Sequence, residues 1–277
     1  MKQSLQKSGS PLRDDVRKLL SKFILMDDDF MRVVLKDIRC TEYILQTILR
    51  KPRLRVKEQV LQEDLKNLQG RSVILDCLCT DESGAVYNIE LQNKRYGASP
   101  LRARYHAGMI DMHILKAGEN FNRLPESYVI FICGKDVLKE NRQIYHVKRI
   151  IEESGNTFPD KAQIIYINTE KSSDDELGRM IKDFYTEDPK EIRSKVLARR
   201  IAEIKIPSKE EKGEDAEMTT YYDRLKRQWK KEGAANAEGK MAKLMGLLVK
   251  EGRIDDIAKA SESSTYRRQL LEEFQLN

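Results

Sequence analysis

No apolar run in this 277-residue chain approaches the roughly 20 residues needed to span a bilayer, so a membrane-spanning helix is excluded. The first ten residues, Met-Lys-Gln-Ser-Leu-Gln-Lys-Ser-Gly-Ser, contain no apolar signal segment. A cytoplasmic protein with no membrane partner is expected. Cysteine is scarce: Cys40, Cys77, Cys79 and Cys133 all lie in apolar contexts, and Cys77-x-Cys79 has no second Cys or His pair at zinc spacing. Reduced, buried thiols are predicted. Histidine is scarcer still, with three in the chain. His106 and His113 are seven apart on one helical face, but two further ligands are missing, so core or surface histidines are the better reading. The charge is not of one sign: 51 basic and 45 acidic residues leave a net charge of +6, which favours a polyanionic partner only mildly.

What the chain does have is two β-prone runs that each carry a carboxylate. Arg71-Ser72-Val73-Ile74-Leu75-Asp76 and Tyr87-Asn88-Ile89-Glu90-Leu91-Gln92 flank the turn Asp81-Glu82-Ser83-Gly84, which reads as a hairpin. Side chains at i and i+2 of a strand share a face, so Glu90 and Gln92 project together while Ile89 and Leu91 point into the opposite layer. With Asp76 across the hairpin, two carboxylates and an amide converge on one patch. Such a patch suits a hard divalent cation held by one or two carboxylates plus substrate phosphate. The bland alternative makes Asp76 a strand-end residue satisfied by backbone donors, and Glu90 and Gln92 solvent-facing residues of an edge strand. Against it stands Val-Ile-Leu-Asp-Cys-Leu-Cys around Asp76, an apolar run of the kind found in strands covered on both faces, where a charge needs a metal, a partner or a raised pKa.

The rest of the chain builds an α/β frame around that hairpin. Helical spacing over 11–26 and 30–50 predicts two or three opening helices. Strands are predicted at 53–60, 72–80, 85–92, 128–133 and 163–167, with a helix over about 100–116 capped by Ser99-Pro100. Helices return over 174–184 and 190–205. Met26-Asp-Asp-Asp-Phe30 reads as an acidic helix N-terminus rather than a metal cluster. The order fits a mixed central sheet flanked by helices. The charged run 207–217 reads as a linker between a first domain, 1–206, and a helical C-terminal region, 218–277. There a Gly-containing turn near 252 permits a helix-turn-helix whose Tyr266-Arg267-Arg268 would touch phosphates, against the plainer reading of packing or oligomerisation helices.

An Asp ending one strand, a hairpin turn and Glu-x-Gln on the next resemble the PD-(D/E)XK nuclease pattern. More narrowly, Gly70-Arg-Ser-Val-Ile-Leu-Asp76, Tyr87-Asn-Ile-Glu-Leu-Gln92 and Leu101-Arg-Ala-Arg-Tyr105 resemble the recombination-promoting nuclease (Rpn) family of transposase-like proteins. Asp29-Phe-Met-Arg-Val-Val34 is similar to that family's opening motif, and Tyr128-Val-Ile-Phe-Ile132 to its later core strand, so the resemblance covers roughly residues 20 to 170. It implies a restriction-endonuclease-like α/β core and a metal-dependent DNA endonuclease acting in recombination or transposition. Asp76, Glu90 and the Leu91 carbonyl would hold Mg2+ or Mn2+, with Gln92 as third catalytic side chain. Many nucleases of the superfamily have Lys there, whereas Glu-x-Gln is usual in the narrower family. Glu42 resembles an additional acidic residue of the first helix. Lys94, Arg95, Arg102 and Arg104 would line a phosphate path on double-stranded DNA, and a homodimer is compatible. A catalytically silent DNA-binding protein and an RNA-cleaving enzyme on the same core remain as rivals.

Overall fold

The computed structural model describes residues 21–66, 72–93 and 98–205, and then 244, 247–248, 251, 253, 256, 260 and 264–274. The chain divides into two compact units, Met1–Ser208 and Lys209–Asn277. The first opens with α1 (Asp28–Leu35) and α2 (Ile38–Leu49), then β1 (Val56–Lys66), β2 (Ser72–Asp81) and β3 (Val86–Gln92). After α3 (Pro100–Ile114) come β4 (Ser127–Cys133), β5 (Ile144–Val147), β6 (Ala162–Asn168), α4 (Glu176–Phe184) and α5 (Lys195–Lys205). One six-stranded sheet runs in the order β1-β2-β3-β4-β6-β5, with β3, β4 and β6 parallel and the outer pairings antiparallel. It is the mixed sheet flanked by helices expected of a restriction-endonuclease-like α/β core.

The parallel centre is buried on both faces, as its apolar composition requires. All seven residues of β4, Ser-Tyr-Val-Ile-Phe-Ile-Cys, are buried, and so are the first six of β3. One face of the sheet packs on α3: Ala103, Ala107, Met109 and Ile110 form a cluster with Val129, Phe131, Cys133 and Tyr166. Helix α3 begins where proline predicts, with Ser99 Oγ accepting from Arg102 N–H at 3.2 Å. Helices α1, α2, α4 and α5 pack on one another, α1 reaching β2 and α2 reaching β1. Buried Lys205 at the end of α5 donates from Nζ to the carbonyls of Ser21, Phe23 and Glu187, which ties the segment before α1 to the core.

Several local expectations are corrected. Residues 11–20 of the first predicted helix lie outside the described residues, and 21–26 form turns rather than helix. Asp27 stands at the N-cap of α1, but its carboxylate turns back to accept from Ile24 N–H at 2.9 Å instead of capping the helix. The short edge strand β5 is absent from the sequence reading because four residues carry little periodic signal. Strand β2 is not covered on both faces: Leu75, Cys77 and Cys79 are buried, whereas Ile74 is 52% exposed. All four cysteines are free and buried.

The linker 207–217 and residues 218–243 lie outside the described residues. In the second unit α6 (Ser264–Glu273) is described, and Leu244, Leu248, Ala260 and Leu270 share a small buried cluster. Arg253 pairs with Asp256 at 2.7 Å and Glu273 at 2.6 Å. Tyr266 donates its hydroxyl to Asp256 at 2.8 Å.

The β2–β3 hairpin sets the register of the whole site, and Asp81 is its clamp. Gly84 takes φ 85°, in the region that glycine occupies without strain. Asp81 accepts from Ser83 N–H at 2.9 Å, Ser83 Oγ–H at 2.6 Å, Ala85 N–H at 3.0 Å and the Tyr87 hydroxyl at 2.7 Å. Burial pushes this carboxyl up, but those four donors outweigh it and hold it below the usual carboxylate range. Asp81→Ala strands buried donors and should cost about 2–3 kcal/mol in urea denaturation. An unchanged midpoint would show that the turn is held by its glycine alone.

Candidate active site

The hairpin register places the two carboxylates opposite each other at a fork in the sheet. Strands β2 and β3 pair from Thr80↔Val86 to Cys77↔Ile89, and the next positions are Asp76 and Glu90. Beyond Cys77, β2 follows β1 as far as Lys66↔Ser72, while β3 follows β4 to Gln92↔Cys133. The side chains fill the gap by bonding the opposite main chain. Asp76 Oδ2 accepts from Leu91 N–H at 3.1 Å, and Glu90 Oε1 accepts from Asp76 N–H at 3.3 Å. Each carboxylate thus satisfies a main-chain N–H of the opposite strand.

Asp76 is half-buried and lines a cleft on the α1 side with Asp28, Arg32, Ile89 and Leu91. Gln62, across from it on β1, adopts φ 60° and brings its amide nitrogen to 3.3 Å from Asp76 Oδ1. A non-glycine residue in that conformation is local backbone strain of the kind that gathers at functional sites. Burial raises the Asp76 carboxyl above its usual range, while Leu91 N–H and the charges of Arg32 and Arg102 pull it back.

Glu90 is fully buried on the α3 side, where Asn88, Phe131 and Cys133 share its sheet face. Arg102 Nη2 lies 3.4 Å from Glu90 Oε2, and His106 Nδ1 lies 3.6 Å from Glu90 Oε1. Burial first, and the charge of Asp76 second, push the Glu90 carboxyl up to about 8, although Asn88, Arg102 and Asp76 N–H favour its charged form. Burial and the Arg102 guanidinium push His106 down to about 4, so the ring is neutral at pH 7. His106 is therefore a neutral member of this group. The polar alternation Asn88-x-Glu90-x-Gln92 on the strand and the i,i+4 pair Arg102/His106 on the helix were the signals that would have found it.

Other sequence candidates separate from the group. Glu42 does not join it: its carboxylate accepts from Val56 N–H at 3.0 Å and pairs with Arg55 at 3.6 Å, at the end of β1 that pairs with Asp81. Arg104 is exposed and two residues from Arg102, a spacing that puts the pair on different sides of a helix. Lys94 and Arg95 lie outside the described residues. His113 donates Nδ1–H to the Met109 carbonyl at 2.8 Å, a structural bond. Gln92 is half-buried at the end of β3, where its carbonyl accepts from Gly134 N–H at 2.9 Å. A Cβ on Gly134 would stand 2.9 Å from Asn93 Oδ1, so glycine permits this approach.

Among the described residues no cluster of three or more Asp, Glu, His or Cys side chains is placed to hold a metal ion. What the fork brings together is a pair of carboxylates with the main chain of Leu91. The carboxylate oxygens are hard donors, and a buried charge beside a second one is electrostatically costly.

A family model described as PD-(D/E)XK nuclease family transposase matches residues 43–237, which include Asp76, Glu90, Gln92, Arg102 and His106. No curated protein and no solved structure matches the chain.

The raised Glu90 carboxyl has a signed consequence for stability. Its ordinary value is 4.5 and its folded value about 8, so the folded chain binds the extra proton between them. The stabilisation is complete below pH 4.5 and is lost as pH rises through 8. His106, displaced from 6.5 to about 4, acts with the opposite sign below pH 6.5, which leaves pH 6.5–8 to the carboxyl group. Metal-free protein in EDTA should lose up to about 1.4 kcal/mol per pH unit in that window, and Glu90→Gln should flatten the profile. Urea denaturation at a series of pH values measures both. A slope that survives in Glu90→Gln would assign it to another group.

Proposed function

The chain belongs to the PD-(D/E)XK nuclease family transposases, and on that premise we propose that it is a divalent-metal-dependent endonuclease. It hydrolyses phosphodiester bonds of double-stranded DNA in recombination or transposition. The observation that carries this reading is the placement of Asp76 opposite Glu90 where β2 and β3 part, each bonded to the other strand's main chain.

Asp76, Glu90 and the Leu91 carbonyl would hold Mg2+ or Mn2+. An ion bound there supplies a water of lowered pKa and a countercharge for the phosphate. The remaining tasks would fall to this chain's own side chains. Gln92, two residues beyond Glu90 on the same strand face, orients water through its amide but has no charge and no proton to give. Arg102 brings a guanidinium to the mouth of the site, where its planar donors suit phosphate oxygens. Arg32 supports the Asp76 charge from the α1 side. The apolar wall of Ile89 and Leu91 limits water around Asp76.

One feature favours a second reading, a catalytically silent DNA-binding protein: the amide of Gln92 stands where many nucleases of the superfamily have a cation. Plasmid nicking separates the two. Wild-type protein with Mg2+ or Mn2+ should nick supercoiled DNA, Asp76→Ala and Glu90→Ala should each abolish nicking, and Gln92→Lys should keep or increase it. Wild-type binding without nicking would make the protein a silent binder. Cleavage of RNA and not DNA in a parallel assay would reassign the substrate.

A further inference from the structure

His106 is 1% exposed, packs its ring 5.7 Å from that of Phe131, and touches Glu90 and Arg102 without an evident task in hydrolysis. Its bonds define one. Arg102 Nε lies 3.1 Å from His106 Nε2. A guanidinium N–H can only donate, so Nε2 must be the accepting nitrogen, and the single hydrogen of the neutral ring resides on Nδ1. Nδ1 faces Glu90 Oε1 at 3.6 Å, one small side-chain adjustment from a hydrogen bond, and Arg102 Nη2 reaches Glu90 Oε2 at 3.4 Å. The arginine thus touches the carboxylate directly and anchors the ring that faces its other oxygen. With a hydrogen on Nδ1, the Asn88 amide 3.4 Å away must turn its otherwise unpartnered Oδ1, and not its nitrogen, toward the ring.

We propose that His106 is a positioning residue whose Nδ1–H, fixed in that tautomer by Arg102, holds the Glu90 carboxylate in the orientation that accepts a divalent cation. The inference rests on the nuclease reading above. It differs from a packing role because one nitrogen matters and the other is only an anchor. Groups that orient a metal ligand are worth about 10–100-fold in metal affinity.

Two measurements on the full chain test it. Ring-nitrogen NMR of 15N-histidine-labelled, metal-free protein should place the His106 hydrogen on Nδ1, and Arg102→Met should release the ring to the Nε2–H form. Mn2+ binding, followed without DNA by loss of the free-ion EPR signal, should weaken about 10–100-fold in His106→Phe. His106→Asn, whose amide nitrogen takes the place of Nδ1, should restore most of the affinity, and His106→Gln, whose amide extends to the place of Nε2, should not. Should His106→Phe fail to fold by near-ultraviolet circular dichroism, the Asn/Gln pair decides alone. An Nε2–H tautomer in the wild type, unchanged Mn2+ affinity in folded His106→Phe, or equal rescue by Gln would overturn the proposal. If the wild type binds no Mn2+, the nuclease reading falls and the ligand-holding role with it; if it binds and the variants match it, only the role of His106 falls.

Discussion

Two carboxylates facing each other across an opened strand pair are the constraint around which this core is arranged. Glu90 lies in a strand buried on both faces, and Asp76 sits directly opposite. Desolvating a carboxylate costs several kcal/mol even after relaxation, while each hydrogen bond returns only about 1 kcal/mol. The main-chain donors of Asp76 and Leu91, the Gln62 amide and the Arg102 guanidinium reduce that cost without cancelling it. The upward shift of the Glu90 carboxyl is the visible remainder. That unsatisfied charge is what the proposed cation would offset.

The fork also divides labour between the two faces of the sheet. On the α1 side, Asp76 meets Arg32 and the apolar edge of Ile89 and Leu91. On the α3 side, Glu90 meets Arg102 and His106. At the parting of β2 and β3 the two environments meet. Register is therefore a functional quantity here: a slip of one residue would send Glu90 to the wrong face, and the Asp81 clamp at the far end of the hairpin opposes that slip.

Much of this frame was legible in the sequence, for identifiable reasons. The hairpin carried a turn signal in Asp81-Glu-Ser-Gly84, and β4 carried an unbroken apolar run, so both were read nearly to their ends. The pairing of Asp76 with Glu90 followed from strand periodicity. What periodicity could not supply was tertiary placement. Glu42 had the right charge on an early helix, yet it caps the start of β1. Arg104 shared a motif with Arg102 but not a helix side. Apolar neighbours point to Asp76 as the buried charge, whereas Glu90 is the fully buried member. Zinc spacing is silent on His106, whose partners come from a strand and a helix 16 and 4 residues away. The left-handed turn of the backbone at Gln62 has no sequence signal at all.

The central claim is that this fork is a divalent-cation site, and anomalous diffraction from crystals grown with Mn2+ tests it most directly. The account predicts a peak within coordination distance of the Asp76 and Glu90 carboxylates and the Leu91 carbonyl, and its loss in Glu90→Gln. A well-ordered fork with no peak, or Mn2+ bound only elsewhere on the chain, would contradict it.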